Sequence, residues 1–224
     1  MSQNNQNISS SNRPAVKRSF FQENEKSITF IIAGIVILIL LYIGYQKLYL
    51  APRAEQAANK MYHAEQFVAI DSLQKLAIDG DGTAPGFKAI ADEFSNTKSA
   101  NIANAYLGGL YLRQKNFKEA IKYLEQYSET GSEILDPLVI GLLGDAYSEE
   151  KIYDKAANYY KKAADKSKNV YTTPLFLKKL GLVYEELGDY KNAETTYQRI
   201  RDEYPQSAES TTIDSFLARV QAKQ

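Results

Sequence analysis

Three stretches of this chain superimpose without a gap, and few folds are open to a chain that repeats itself at such a period. They are NAYLGGLYLRQKNFKEAIKYLEQY (104–127), IGLLGDAYSEEKIYDKAANYYKKA (140–163) and LKKLGLVYEELGDYKNAETTYQRI (177–200). Each carries a Leu-Gly pair: Leu107-Gly108, Leu143-Gly144 and Leu180-Gly181. An aromatic follows each Gly by three residues (Tyr111, Tyr147, Tyr184), and a second comes six later (Phe117, Tyr153, Tyr190). An alanine stands three residues beyond that (Ala120, Ala156, Ala193), and the glycines are 36 and 37 residues apart. Leu107 and Tyr111 fall at i and i+4 on one face of a first helix, and Phe117, Ala120 and Leu124 at i, i+3 and i+7 on a second. The small Gly and Ala let two helix backbones approach closely while the aromatics fill the groove beside them. The turns QKNF, EEKIY and LGDY are polar, and Gly188 suits a helix C-terminal cap. Each helix pair buries only part of its apolar face, so neighbouring pairs must stack into a solenoid.

The pattern resembles the tetratricopeptide repeat (TPR) family, with its W-x2-L-G-x2-Y, A, F and P positions. The leading Trp position is held here by Asn104, Ile140 and Leu177, and a closing Pro appears only as Pro205. The resemblance implies an all-α TPR-type helix–turn–helix solenoid over residues 98–206. Before it, residues 51–97 read as atypical helices, a degenerate first pair. Within them DGDGTAP resembles a calcium loop but fails its spacing: with Asp79 as first ligand, the required Gly falls on Ala84 and the bidentate Glu on Ile90. It is read as a turn, with Thr83 as N-cap and Pro85 in the first turn of a helix over 85–95. Residues 207–224 read as a terminal capping helix with Ile213, Phe216, Leu217 and Val220 as its apolar face.

Ahead of the repeats, residues 28–45 read ITFIIAGIVILILLYIGY, 18 residues without a charge. As a helix they span about 27 Å, close to the hydrocarbon core of a bilayer. Tyr42, Tyr45 and Tyr49 stand where an aromatic belt would sit, and Lys47 is placed to snorkel. A transmembrane helix over 28–46 is therefore expected. The apolar run is too long for the core of a cleavable signal, and no small-x-small site follows in QKLYLAPR. Arg13, Lys17, Arg18 and Lys26 precede it; Lys47, Arg53 and Lys60 follow. That bias puts the N-terminus in the cytoplasm and the repeats on the far side. Residues 1–27 read as a disordered basic tail, in which VKRSFFQENEK is either a short interfacial helix or an ordinary charged flank.

Composition narrows the chemistry. There is no Cys, so disulfides, thiolate nucleophiles and zinc–thiolate sites are excluded. Lys+Arg and Asp+Glu are equal at 27 each, which argues against a nucleic-acid binder. No phosphate loop, HExxH or GxSxG occurs, and the single His63 has no nucleophile or metal partner at a useful spacing, so no enzyme, cofactor or metal is expected. The working surface of such a solenoid is the concave one. Counted from the Leu-Gly landmark, its exposed positions are Ile102, Ala105, Gly109, Leu112 and Arg113 in the first repeat. Leu138, Gly141, Asp145 and Glu149 follow in the second, and Lys178, Leu182 and Glu186 in the third. The Lys and Asn with which some TPR domains clamp a C-terminal carboxylate are absent. The groove reads as apolar with acidic edges, either free for an apolar or amphipathic partner segment or packed against a helix of the same chain.

The layout also resembles the YfgM family of bacterial inner-membrane proteins. That likeness rests on Val16-Lys17-Arg18, Phe20-Phe21, Glu23-Asn24 and Lys26, with Ser19 inserted, just before the anchor. The resemblance implies a periplasmic TPR domain on a single-pass anchor. It also implies partners in the SecYEG translocon and the membrane-anchored chaperone PpiD, and a chaperone-like accessory role in protein export. A cell-envelope scaffold with no export role fits the same fold.

Overall fold

The structure, a computed structural model, describes residues 24–224, which divide into two compact units between Tyr49 and Leu50. The tail and the 16–23 stretch lie outside the described residues. Among the described residues the fold is all-α: helices and no strand, with one isolated bridge, Gly80 to Pro85.

The first unit holds helix α1 (Glu25–Gly44) and all but the last residue of the π-helical turn that continues it, Tyr45–Leu50. Twenty residues of α-helix span about 30 Å. None of its side chains is buried, and Phe30 is 79% exposed. Among the described residues this is the one helix region long and apolar enough to cross a membrane. In the turn, Tyr45 and Tyr49 stack at 5.4 Å, and Gln46 donates to the Tyr42 hydroxyl at 3.2 Å.

The second unit opens with α2 (Ala51–Val68), a 3-10 turn (Asp71–Leu73), α3 (Gln74–Asp79) and α4 (Phe87–Glu93). Of α2, only Ala57 and Ala64 are buried, seven residues apart on one stripe, so the helix lies close against its neighbours through its smallest side chains. The loop before α4 corrects the expectation made of it. Asp81 Oδ1 accepts from Thr83 N, Thr83 Oγ1 and Ala84 N, each at 2.8 Å. Those bonds from Ala84 and Thr83 hold the Asp81 carboxyl down at about 2. Thr83, taken into that Asx turn, caps no helix. α4 begins at Phe87 with Gly86 at its N-cap, and Pro85 pairs with Gly80 outside the helix.

The repeats follow as α5 (Lys98–Arg113) and α6 (Phe117–Glu125), α7 (Leu135–Glu149) and α8 (Tyr153–Lys166), α9 (Thr172–Glu186) and α10 (Tyr190–Glu203). The landmark residues explain the pairing. Ala120, Ala156 and Ala193 are all 0% exposed. The residue sixteen past each landmark glycine lies flat on it, with no room for a Cβ. A Cβ on Gly108 would come within 2.3 Å of Leu124, one on Gly144 within 2.6 Å of Tyr160, and one on Gly181 within 2.2 Å of Tyr197. Beside this contact Tyr111 stacks on Tyr123 at 5.5 Å and Tyr147 on Tyr159 at 5.3 Å. Helix α11 (Ser210–Gln221) packs on α10 with Ile213, Leu217 and Val220 buried.

The turn inside each repeat is one structure built three times. The residue seven past the landmark glycine has positive φ: Lys115 at 57°, Lys151 at 59° and Gly188 at 74°. The next N–H reaches back to the carbonyl of the landmark aromatic, Asn116 to Tyr111 at 2.9 Å, Ile152 to Tyr147 at 2.8 Å and Asp189 to Tyr184 at 2.8 Å. With the shorter bond beside it, this is the Schellman closure of a helix C-terminus. Asn116 and Asp189 then cap the second helix through their side chains, accepting from Glu119 N and Asn192 N; Ile152 has no such bond to give.

Candidate functional site

Helices α5, α7 and α9, the first of each pair, lie side by side, with α7 in contact with both others. Their shared face forms an open groove of ≈ 900 Å³. Its apolar floor comes from Leu112, Leu142 and Leu182, and its polar lining from Arg113, Lys115, Asp145, Ser148, Glu149, Lys179 and Glu186.

In the groove wall Asp145 accepts from Lys179 Nζ at 2.6 Å through one oxygen and at 2.8 Å through the other. The Tyr160 hydroxyl donates to the same carboxylate at 2.6 Å. Burial first, and then the Asp145 charge, push the Tyr160 hydroxyl far above the ordinary tyrosine range. This is therefore a fixed internal network: Asp145 is ion-paired with Lys179, Tyr160 stays protonated, and together they lock α8 and α9 to α7.

Seven of the twelve positions named from the sequence line this groove: Gly109, Leu112, Arg113, Asp145, Glu149, Leu182 and Glu186. The others go elsewhere. Ala105 is buried at 8% exposure, and Gly141 is buried beneath the Phe176 ring, which leaves its Cβ position 1.9 Å from Cε1. Lys178 turns to the terminal helix, with Nζ 4.9 Å from the Phe216 ring centroid and 3.3 Å from Thr212 Oγ1. Leu138 is exposed in the first turn of α7 outside the groove, and Ile102 lines a separate cavity with Thr97, Asn101 and Ser128. Three of these five misses, Ala105, Gly141 and Lys178, share one geometric cause. The row three before each landmark glycine (Ala105, Gly141, Lys178) faces neighbouring helices, and the row two before it (Leu142, Lys179) faces the groove. Rows at −2, +1 and +5 keep the i, i+3, i+7 spacing of one helix face. Leu142 and Lys179 could have been found from that spacing. Tyr160 and Phe117 could not, because they reach the groove from second helices.

The expectation of acidic edges is also amended. Arg113 and Lys115 make the first-repeat end basic, and Glu149 and Glu186 make the second- and third-repeat rim acidic. His63 lies outside the groove on α2, edge-on to Tyr62 at 6.0 Å. Among the described residues no three His, Cys, Asp or Glu side chains gather as a metal site would require.

Tetratricopeptide repeat family models match residues 102–129, 139–165 and 179–207, one span per helix pair. The chain thus contains tetratricopeptide repeats, a fold that ordinarily serves as a non-catalytic scaffold for protein–protein interaction. No curated protein matches the sequence. A solved structure, BtubC (BKLC) from P. vanneervenii, is similar at a TM-score of 0.44 and 17% identity. That match covers 74% of this chain and 66% of the other, just under two thirds of its length.

Proposed function

We propose that this protein is a membrane-tethered, non-enzymatic interaction module in which α1 spans the inner membrane and the repeats work in the periplasm. Its role is that of a chaperone-like accessory subunit of the SecYEG translocon, alongside a membrane-anchored periplasmic chaperone or isomerase. The groove between Gly109 and Glu186 is the surface that takes a partner segment. The observation that carries this reading is the joining, on one chain, of an apolar helix with no buried residue to a repeat stack whose apolar-floored groove stands open. A helix with that much exposed apolar surface is stable only in lipid. Anchoring then holds a weak peptide site at high effective concentration beside emerging chains.

The test is affinity purification of the full-length protein in mild detergent, with lysine-directed crosslinking and mass spectrometry. Translocon subunits or a periplasmic isomerase crosslinked through Lys115 on the groove rim are expected. Division or wall-synthesis proteins with no translocon would replace the export role with a scaffold role. A reporter fused after Gln224 that is active only in the cytoplasm would overturn the periplasmic placement.

A further inference from the structure

The groove rim carries an ordered set of charges. Arg113, Glu149 and Glu186 occupy the same position, five residues past the landmark glycine, at the C-terminal ends of α5, α7 and α9. Lys115, two residues beyond Arg113, adds a second cation at the first-repeat end. All four side chains belong to exposed residues. Asp145 and Lys179 are paired with each other in the wall. No ion pair among the described residues involves Arg113, Lys115, Glu149 or Glu186. Packed helices stand 8–10 Å apart, so the first and third rim positions are separated by roughly 20 Å. The groove is therefore a bipolar channel, cationic at one end and anionic over its remaining two thirds, with leucines beneath.

We infer that this groove selects an apolar peptide segment bracketed by opposite charges, its acidic end against Arg113 and Lys115 and its basic end against Glu149 and Glu186. The inference rests on the groove being the partner site and adds what that site reads. Leu112, Leu142 and Leu182 bury the apolar centre of the segment, which supplies affinity without regard to sequence. The rim charges supply discrimination, since like charges set against them are repelled and opposite charges attracted. An all-acidic segment meets Glu149 and Glu186, and an all-basic one meets Arg113 and Lys115; only the bipolar segment satisfies both ends.

The experiment uses full-length protein in neutral detergent and three fluorescein-labelled peptides with the same Leu/Val/Ala centre. One has Glu-Glu at one end and Lys-Lys at the other, one has Lys-Lys at both ends, and one has Glu-Glu at both. In fluorescence anisotropy at low salt the bipolar peptide is expected to bind about threefold to tenfold more tightly than either uniform one, the range of a few exposed ion pairs. At 0.5 M NaCl the difference should shrink while apolar binding persists. In the double variant Glu149→Lys/Glu186→Lys the preference should move to the Glu-Glu peptide. Both substitutions are at exposed residues near helix C-termini, where a cation is favourable, so an unchanged far-UV circular dichroism melt is expected. Equal binding of all three peptides, or a preference that the double variant leaves in place, would overturn the charge reading and keep the groove as the site. No binding of any peptide to the wild-type chain would overturn both.

Discussion

The three intra-repeat turns allow one backbone state to be tested against itself. Lys115, Lys151 and Gly188 hold the same left-handed conformation at the same place in the same closure. A side chain there brings its Cβ against the following carbonyl oxygen, at a cost of about 1–2 kcal/mol that glycine escapes. Glycine gives some of this back through the greater freedom of its unfolded chain, about 0.5–1 kcal/mol. Lys151→Gly should therefore stabilise the unit by about 0.5–1 kcal/mol, and Lys115→Gly by a similar amount. Gly188→Ala should destabilise it by about 1 kcal/mol. A Cβ at Gly188 would meet nothing within 4 Å, so this cost is purely conformational. Lys151 lies outside the groove lining, so its replacement leaves the proposed site untouched. The measurement is urea unfolding followed by far-UV circular dichroism in detergent, with thermal midpoints alongside; 1 kcal/mol in a unit of this size moves the midpoint by about 2–4 °C. The substitutions sit a full repeat apart and should add. Destabilisation by Lys151→Gly together with tolerance of Gly188→Ala would refute the reasoning, for it would mean that the turns are held by their side chains and not by backbone conformation.

Other consequences are as direct. Asn104 is buried with its Oδ1 lacking a hydrogen-bond partner, where the other repeats place Ile140 and Leu177, so Asn104→Leu should raise stability by about 1–3 kcal/mol in the same unfolding assay. Gly181→Ala forces the fully buried Tyr197 ring aside and should cost about 1–3 kcal/mol. Gly109→Ala, with its nearest neighbour 3.9 Å away, should gain up to about 1 kcal/mol of helix propensity. Glu185 accepts from Arg219 Nε at 2.9 Å and Nη2 at 2.6 Å and from the Tyr197 hydroxyl at 2.7 Å. Burial alone would raise its carboxyl, but these donors hold it below the ordinary 4.5. Because the folded value is the lower one, the stabilisation is whole above the unfolded value and is lost as pH falls through the folded value. Arg219→Ala should move the acid-unfolding midpoint, followed by circular dichroism, to higher pH.

The repeat period, the helix pairs and the apolar helix were legible because each is a spacing or a run, and a spacing survives without coordinates. Gly108, Gly144 and Gly181 announced a close approach, although the side chain that fills it, Leu124, Tyr160 or Tyr197 at a constant sixteen residues, shows only in the structure. Much of the groove was legible, and for two of its residues the reading was one position off. A helix turns 100° per position, so reading Gly141 and Lys178 in place of Leu142 and Lys179 turned part of the predicted lining onto neighbouring helices. Asp136 was missed entirely. It is fully buried and accepts from Tyr127 Oη, Thr130 N, Thr130 Oγ1 and Gly131 N, so it organises the loop between the first two repeats from inside the next helix. Nothing in a repeat alignment marks such a residue, because its partners lie in the variable stretch that the alignment leaves out.

The seating of α11 gathers its side-chain contacts on a single repeat. Its arginine grips Glu185 on α9, its Phe216 lies edge-on to Tyr197, and Lys178 is drawn across to it. Every one of these partners belongs to the third repeat. Charge, ring and amine contacts together hold the helix, so moving it would mean rebuilding that whole interface at once, whereas residues along the groove can be altered without touching it.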